Sequence, residues 1–71
     1  MSIALNEIIR RLSLHGFSLE TQAAATLLSC YEKVQNVTSI SEFLDPFIDE
    51  LYKTLPSLSI VTAKDVSKFF N

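Results

Sequence analysis

Leu14-His15-Gly16-Phe17-Ser18-Leu19-Glu20 and Leu58-Ser59-Ile60-Val61-Thr62-Ala63-Lys64-Asp65 are two versions of one junction. Each is a short apolar stretch that leads into a hydroxyl residue. A Ser or Thr oxygen there accepts a hydrogen bond from the free N–H groups that begin a helix. Ser18, with Glu20 after it, is expected to cap a second helix, and Thr62, with Asp65 three positions on, a last one. Phe17 is placed to staple the first turn of the second helix. Two such junctions with helical runs between them predict a small helical domain whose loops lie side by side.

Working outward, Leu5, Ile8, Ile9 and Leu12 recur at helical spacing and predict a first helix over about 3–14. Gly16 stops it, because glycine enters the left-handed conformation without a Cβ clash. His15 falls in the last turn, where a partial positive charge suits the helix dipole. The second helix is expected to run to about Asn36. Ala23, Ala24, Leu27, Leu28, Tyr31 and Val34 line one side, and the alanine run lets a neighbour approach closely.

Ser39-Ile40-Ser41-Glu42 reads as a capping box. The strongest amphipathic run follows: Ile40, Phe43, Leu44, Phe47, Ile48, Leu51, Tyr52 and Leu55. Pro46 removes a backbone donor within it. The apolar stripe keeps phase across the proline, so one helix with a disturbed start is expected. After the break at Leu55-Pro56-Ser57, the last helix shows Val66, Phe69 and Phe70 on one face. It runs into Asn71, the final residue, as if a longer chain continued.

Seventy-one residues are expected to form one domain, residues 1–71. A chain of that size builds a core worth only a few kcal/mol. Apolar residues make up 48% of it, enough to fill that core and leave some for a partner. Six basic against eight acidic residues give a net charge of −2, which argues against binding nucleic acid directly. Nothing resembles a secretory leader or a run long enough to span a membrane. Cys30 is the only cysteine, so an internal disulfide or a cysteine zinc site is excluded. It reads as a buried thiol in a reducing compartment.

Catalytic chemistry is hard to assemble from these residues. His15 is the only histidine and stands in no nucleophile motif. Cys30 lacks a helix N-terminus or cationic cluster to lower its pKa. A single glycine excludes a glycine-rich phosphate loop. Asp45 and Asp49 share a helix face with Glu50 beside them, which reads as a solvated acidic surface rather than a metal or glycosidase site. The expectation is therefore no enzyme, no cofactor and no metal.

The order of these features resembles the N-terminal domain of the second, B subunits of eukaryotic DNA polymerase epsilon. The resemblance rests on Ile8-Ile9-Arg10-Arg11-Leu12-Ser13-Leu14-His15-Gly16-Phe17-Ser18-Leu19 entering the alanine-rich helix. It continues through the helix from Phe43-Leu44 to Tyr52-Lys53, and ends in Ile60-Val61-Thr62-Ala63-Lys64-Asp65-Val66. It spans nearly the whole chain as a pattern of apolar positions and breaks, without a chemical motif. Pro46 departs from it.

The resemblance implies an all-α, four-helix domain similar to the C-terminal lid of AAA+ ATPases. Residues 17–19 and 59–61 would pair as a minimal parallel β-bridge. It further implies a nuclear, non-catalytic tether that docks the polymerase onto the GINS component of the CMG helicase at the replication fork. The catalytic subunit of the polymerase would be reached through domains outside this chain. No residue motif carries over. The expected contact residues are therefore exposed charges: Arg10, Arg11 and His15 at the end of the first helix, then Asp45, Asp49 and Glu50 on the third. Two rivals are a free-standing lid or histone-fold-like module that dimerises through the third helix's apolar stripe and a small DNA-binding helical domain.

Overall fold

The computed structural model describes residues 2–71. The chain runs α1 (Ile3–Leu14), β1 (Ser18–Leu19), α2 (Thr21–Glu32), α3 (Ile40–Thr54), β2 (Ile60–Val61) and α4 (Ala63–Phe70). The two strands pair in parallel, Ser18 opposite Ile60 and Leu19 opposite Val61. The two junctions are therefore adjacent in space, although about half the chain separates them.

Gly16 ends α1 as its sequence predicts. With φ at +86°, it donates its N–H to Ser13 O at 2.9 Å. Phe17 N donates back to Leu12 O at 2.9 Å, which completes the two-bond turn of a Schellman cap. That turn directs Phe17 inward, and its side chain is 1% exposed. Phe17 is thus a member of the core. It does not staple α2, because the cap it was expected to precede is not used.

Ser18 is the main correction at the first junction. Its N–H is spent on Ser59 O at 3.2 Å, and its backbone is extended in β1. The helix starts two residues later, with Glu20 as N-cap and no side-chain cap bond. Glu20 N instead donates to Val61 O at 3.0 Å. The ladder has outcompeted the hydroxyl cap. Carried one residue further, the register sets the two N-caps, Glu20 and Thr62, abreast. Helices α2 and α4 therefore leave the bridge side by side, and they make the most extensive helix contact in the fold.

The other two caps form as read. Ser39 and Glu42 exchange backbone and side-chain hydrogen bonds in a full capping box, as do Thr62 and Asp65. Helix α3 is one helix across Pro46 and ends at Thr54, with Leu55 as its C-cap, whose extended backbone suits a residue before proline. Helix α2 ends at Glu32, short of Asn36. Beyond it the chain tightens: Lys33 N reaches Cys30 O, and Val34 N reaches Tyr31 O at 3.0 Å. These three-residue bonds turn the backbone out of the helix before Val34.

The core draws on all four helices and on β2. Ile8 and Leu12 of α1, Phe17, Ala23 and Leu27 of α2, Val61, and Val66 of α4 surround Leu44, Phe47, Ile48 and Leu51 of α3. Leu5 is only half-buried and Ile9 is exposed, so the buried part of α1 is narrower than its apolar pattern. Aromatic rings fasten the far end of the domain. Phe43 and Phe70 stack with centroids 5.0 Å apart, and Tyr31 and Phe47 pack against the same pair.

Candidate functional site

Arg10 and Arg11 lie on the exposed side of α1, and Glu7 holds both. One Glu7 carboxylate oxygen accepts from Arg10 Nε at 3.0 Å; the other accepts from Arg10 Nη2 and from Arg11 Nε, each at 2.7 Å. The spacings, three and four residues, are those at which helix side chains meet. Glu7 is thereby kept ionised: its pKa falls from 4.5 to about 2, chiefly through the Arg10 hydrogen bond, opposed by partial desolvation. Two cations remain against one anion. The Arg10 side chain is 57% exposed and that of Arg11 is 35% exposed, so the fork presents a net positive spot with its guanidinium planes fixed.

His15 follows one turn after Arg11, as C-cap of α1. It is exposed, and its Nδ1 lies 2.8 Å from the Tyr52 hydroxyl of α3. The ring meets Tyr52 edge-on at 5.7 Å. His15 therefore belongs to a contact that joins two helices. The sequence offers no signal for it, since the partners are 37 residues apart.

Asp45, Asp49 and Glu50 are all exposed on α3, as expected, and no ion pair involves them among the described residues. They do not converge on a ligand. No group of three His, Cys, Asp or Glu side chains among the described residues is placed to hold a metal. Glu50 instead borders a cleft of about 310 Å³ between α3 and α4. Phe47, Leu51, Leu55 and Phe69 line it, with Asp65 and Lys68 across from Glu50. Asp65 is already engaged in the α4 capping box.

Cys30 is half-buried, contrary to its reading as a buried thiol. It lines a second groove of about 330 Å³ with Lys33, Val34, Phe43, Phe70 and Asn71. The groove exists because α2 stops early and the chain turns away at Val34. No described helix is long and apolar enough to cross a membrane.

Ile3 and Val37 are exposed, and part of the apolar surplus also surfaces at the paired junctions. Leu14 is 70% exposed, Leu58 83% and Ile60 66%. All three belong to the paired junctions or lie within two residues of Gly16. Leu58 carries φ of +64°, unusual for a residue with a branched side chain, and it touches the position a Cβ on Gly16 would take. By contrast, the centre of the α3 stripe is spent internally: Leu44, Phe47, Ile48 and Leu51 are buried, while Ile40, Phe43 and Leu55 are half-buried and Tyr52 is exposed. A dimer built on those four buried residues would have to open the fold.

Compared with known proteins, the chain matches no family model, no curated protein and no solved structure.

Proposed function

We propose that this chain is a non-catalytic docking domain of the kind found at the N-terminus of the DNA polymerase epsilon B subunit. In this reading it is a lid-like helical domain that acts in the nucleus and holds the polymerase to GINS within the CMG helicase. It makes no direct contact with nucleic acid or membrane. The catalytic subunit would be bound by domains outside this chain.

One observation carries the reading. The two junctions that anchor the sequence resemblance are the two segments that pair between four helices. The surface offered to the partner is the Arg10–Arg11 fork with His15, and the acidic side of α3 at Asp45, Asp49 and Glu50 is the second choice.

The test is a pull-down of this domain against purified GINS at micromolar concentration, with the Arg10→Glu/Arg11→Glu double variant alongside. Capture of the wild type and its loss in the variant support the reading and the α1 surface. The reversal leaves three carboxylates within two turns, so circular dichroism must show the variant folded, and an Arg10→Gln/Arg11→Gln pair serves as the milder control. A folded, monomeric wild type that GINS does not retain overturns the proposal.

A further inference from the structure

Among the described residues, one face of α1 is left uncovered. Ile8 and Leu12 turn inward to the core, and α1 packs on α2, α3 and β1. On the opposite side, Ile3, Glu7, Arg10 and Leu14 follow one another at steps of four, three and four residues. At about 100° per residue they fall within an arc of about 60° and span about 16 Å of helix. Ile3 is 87% exposed and Leu14 70%. The stripe reads apolar, ion pair, apolar, at the spacing by which one helix seats on another.

The middle of the stripe is cationic and held in shape. Arg11 flanks it, and Glu7 takes bonds from Arg10 Nε, Arg10 Nη2 and Arg11 Nε. Arg10 Nη1 and both Nη nitrogens of Arg11 bond to nothing else among the described residues. A guanidinium offers its donors in a planar fork that fits a carboxylate with two bonds. Glu7 already fixes these planes, so a second carboxylate meets them with less left to order. It also evens the charge, two cations against two anions. Ile3 and Leu14 close the two ends, and covering them withdraws water from the ions between.

We propose that this face of α1 docks an acidic amphipathic helix of a partner protein, whose carboxylates meet Arg10 and Arg11 between two apolar residues that cover Ile3 and Leu14. The proposal takes its surface from the reading above and adds the chemistry a partner must carry there. A basic partner would bring further cations to the fork and is repelled. Nucleic acid would meet guanidiniums already shared with Glu7, on a chain of net charge −2. A second copy of this chain is a poorer fit. Its acids Asp45 and Asp49 stand one turn apart on α3. The side chains beside them at helical spacing are Ser41, Glu42, Pro46, Lys53 and a Tyr52 already tied to His15, so the two aliphatic ends are missing.

The probe is an alanine-based helical peptide bearing leucine, glutamate, glutamate and leucine at the spacing of the stripe. A control peptide has lysine for both glutamates. Each is titrated to millimolar concentration against the whole domain and followed by amide chemical shifts. The glutamate peptide is expected to saturate with shifts centred on 3–14, and the lysine peptide to bind at least ~10-fold more weakly. Arg10→Gln/Arg11→Gln should erase that preference, and Ile3→Ala/Leu14→Ala should weaken the glutamate peptide several-fold. Circular dichroism should be unchanged in both variants, because none of the four residues lies in the core. The proposal falls if neither peptide binds, if both bind equally, if the shifts centre on the α3–α4 cleft, or if Ile3→Ala/Leu14→Ala binds as the wild type does. It falls equally if 3–14 and 45–50 shift with protein concentration alone, which would make a second copy the occupant. Retention by GINS is a separate readout. Glutamate-peptide binding without it overturns the polymerase reading alone, and GINS retention without a peptide preference overturns this proposal alone.

Discussion

The Tyr52 hydroxyl lies 2.8 Å from His15 Nδ1 and 3.4 Å from the His15 carbonyl oxygen, and so ties the end of α1 to the last turns of α3. The Tyr52 ring also meets Phe17 edge-on at 5.4 Å, directly behind the Gly16 turn. Tyr52 is 55% exposed, so water competes for the hydroxyl. A hydrogen bond in that setting contributes about 1 kcal/mol. Tyr52→Phe is expected to lose about that amount in urea unfolding. Tyr52→Ala should lose about 1 kcal/mol more, because the two edge-on ring contacts go as well. In a double-mutant cycle, His15→Ala and Tyr52→Phe should be clearly non-additive; simple addition would show that the pair is not coupled.

Pro46 is the seventh residue of α3 and has no N–H to return to Glu42 O. A proline inside a helix costs up to about 3 kcal/mol through that lost bond and the clash of its ring with the preceding turn. The residue is exposed and contributes nothing to the core. Pro46→Ala is therefore expected to raise stability by about 1–3 kcal/mol with the fold unchanged. Thermal melting decides it. A loss of stability would mean that Pro46 sets the geometry of α3 in a way its exposure does not reveal.

The helices α1, α3 and α4 were legible because their signals are local. Gly16 alone specifies a turn, and Ser39–Glu42 and Thr62–Asp65 are capping boxes completed within four residues. The errors share a different cause. Ser18 reads as a cap, but its N–H is claimed by Ser59, 41 positions away, which no local pattern encodes. The end of α2 lacks a glycine or proline, so its apolar spacing overruns to Val34. Of the candidate contact residues, the exposure of Arg10, Arg11, Asp45, Asp49 and Glu50 was readable from helical phase. The Glu7 fork could have been found from its three- and four-residue spacing. The partner of His15 could not, because Tyr52 reads as part of an apolar stripe.

Acid should weaken the domain through Glu7. Its folded pKa of about 2 lies below the ordinary 4.5, so the folded state binds this proton less readily than the unfolded chain. The stabilising contribution is then present in full above pH 4.5 and is lost as pH falls toward about 2. Glu42 acts in the same direction, because the Ser39 N–H holds its carboxyl below the ordinary range. Melting temperature should fall as pH drops through this window, and less steeply in Glu7→Gln. High salt should flatten the same slope, since Arg10 is largely exposed. A Glu7→Gln variant that keeps the full acid slope would assign it to Glu42 instead.

Gly16 and Leu58 occupy the left-handed region side by side, one with the residue suited to it and one without. A Cβ added to Gly16 would lie 3.8 Å from Leu58 Cδ2, an ordinary contact, so space does not forbid alanine there. The backbone does: a non-glycine residue in this conformation costs about 1–2 kcal/mol. Gly16→Ala should therefore destabilise the domain by about 1–2 kcal/mol without changing its spectrum. Leu58→Gly should do the reverse. It relieves about 1–2 kcal/mol of backbone cost and gives back up to about 1 kcal/mol through the freedom glycine gains in the unfolded chain. Little packing is lost, since Leu58 is 83% exposed. The expected net gain is about 0.5 kcal/mol, read from urea denaturation. A loss above about 1 kcal/mol would show instead that the Leu58 contact over Gly16 holds the two junctions together more strongly than its exposure suggests.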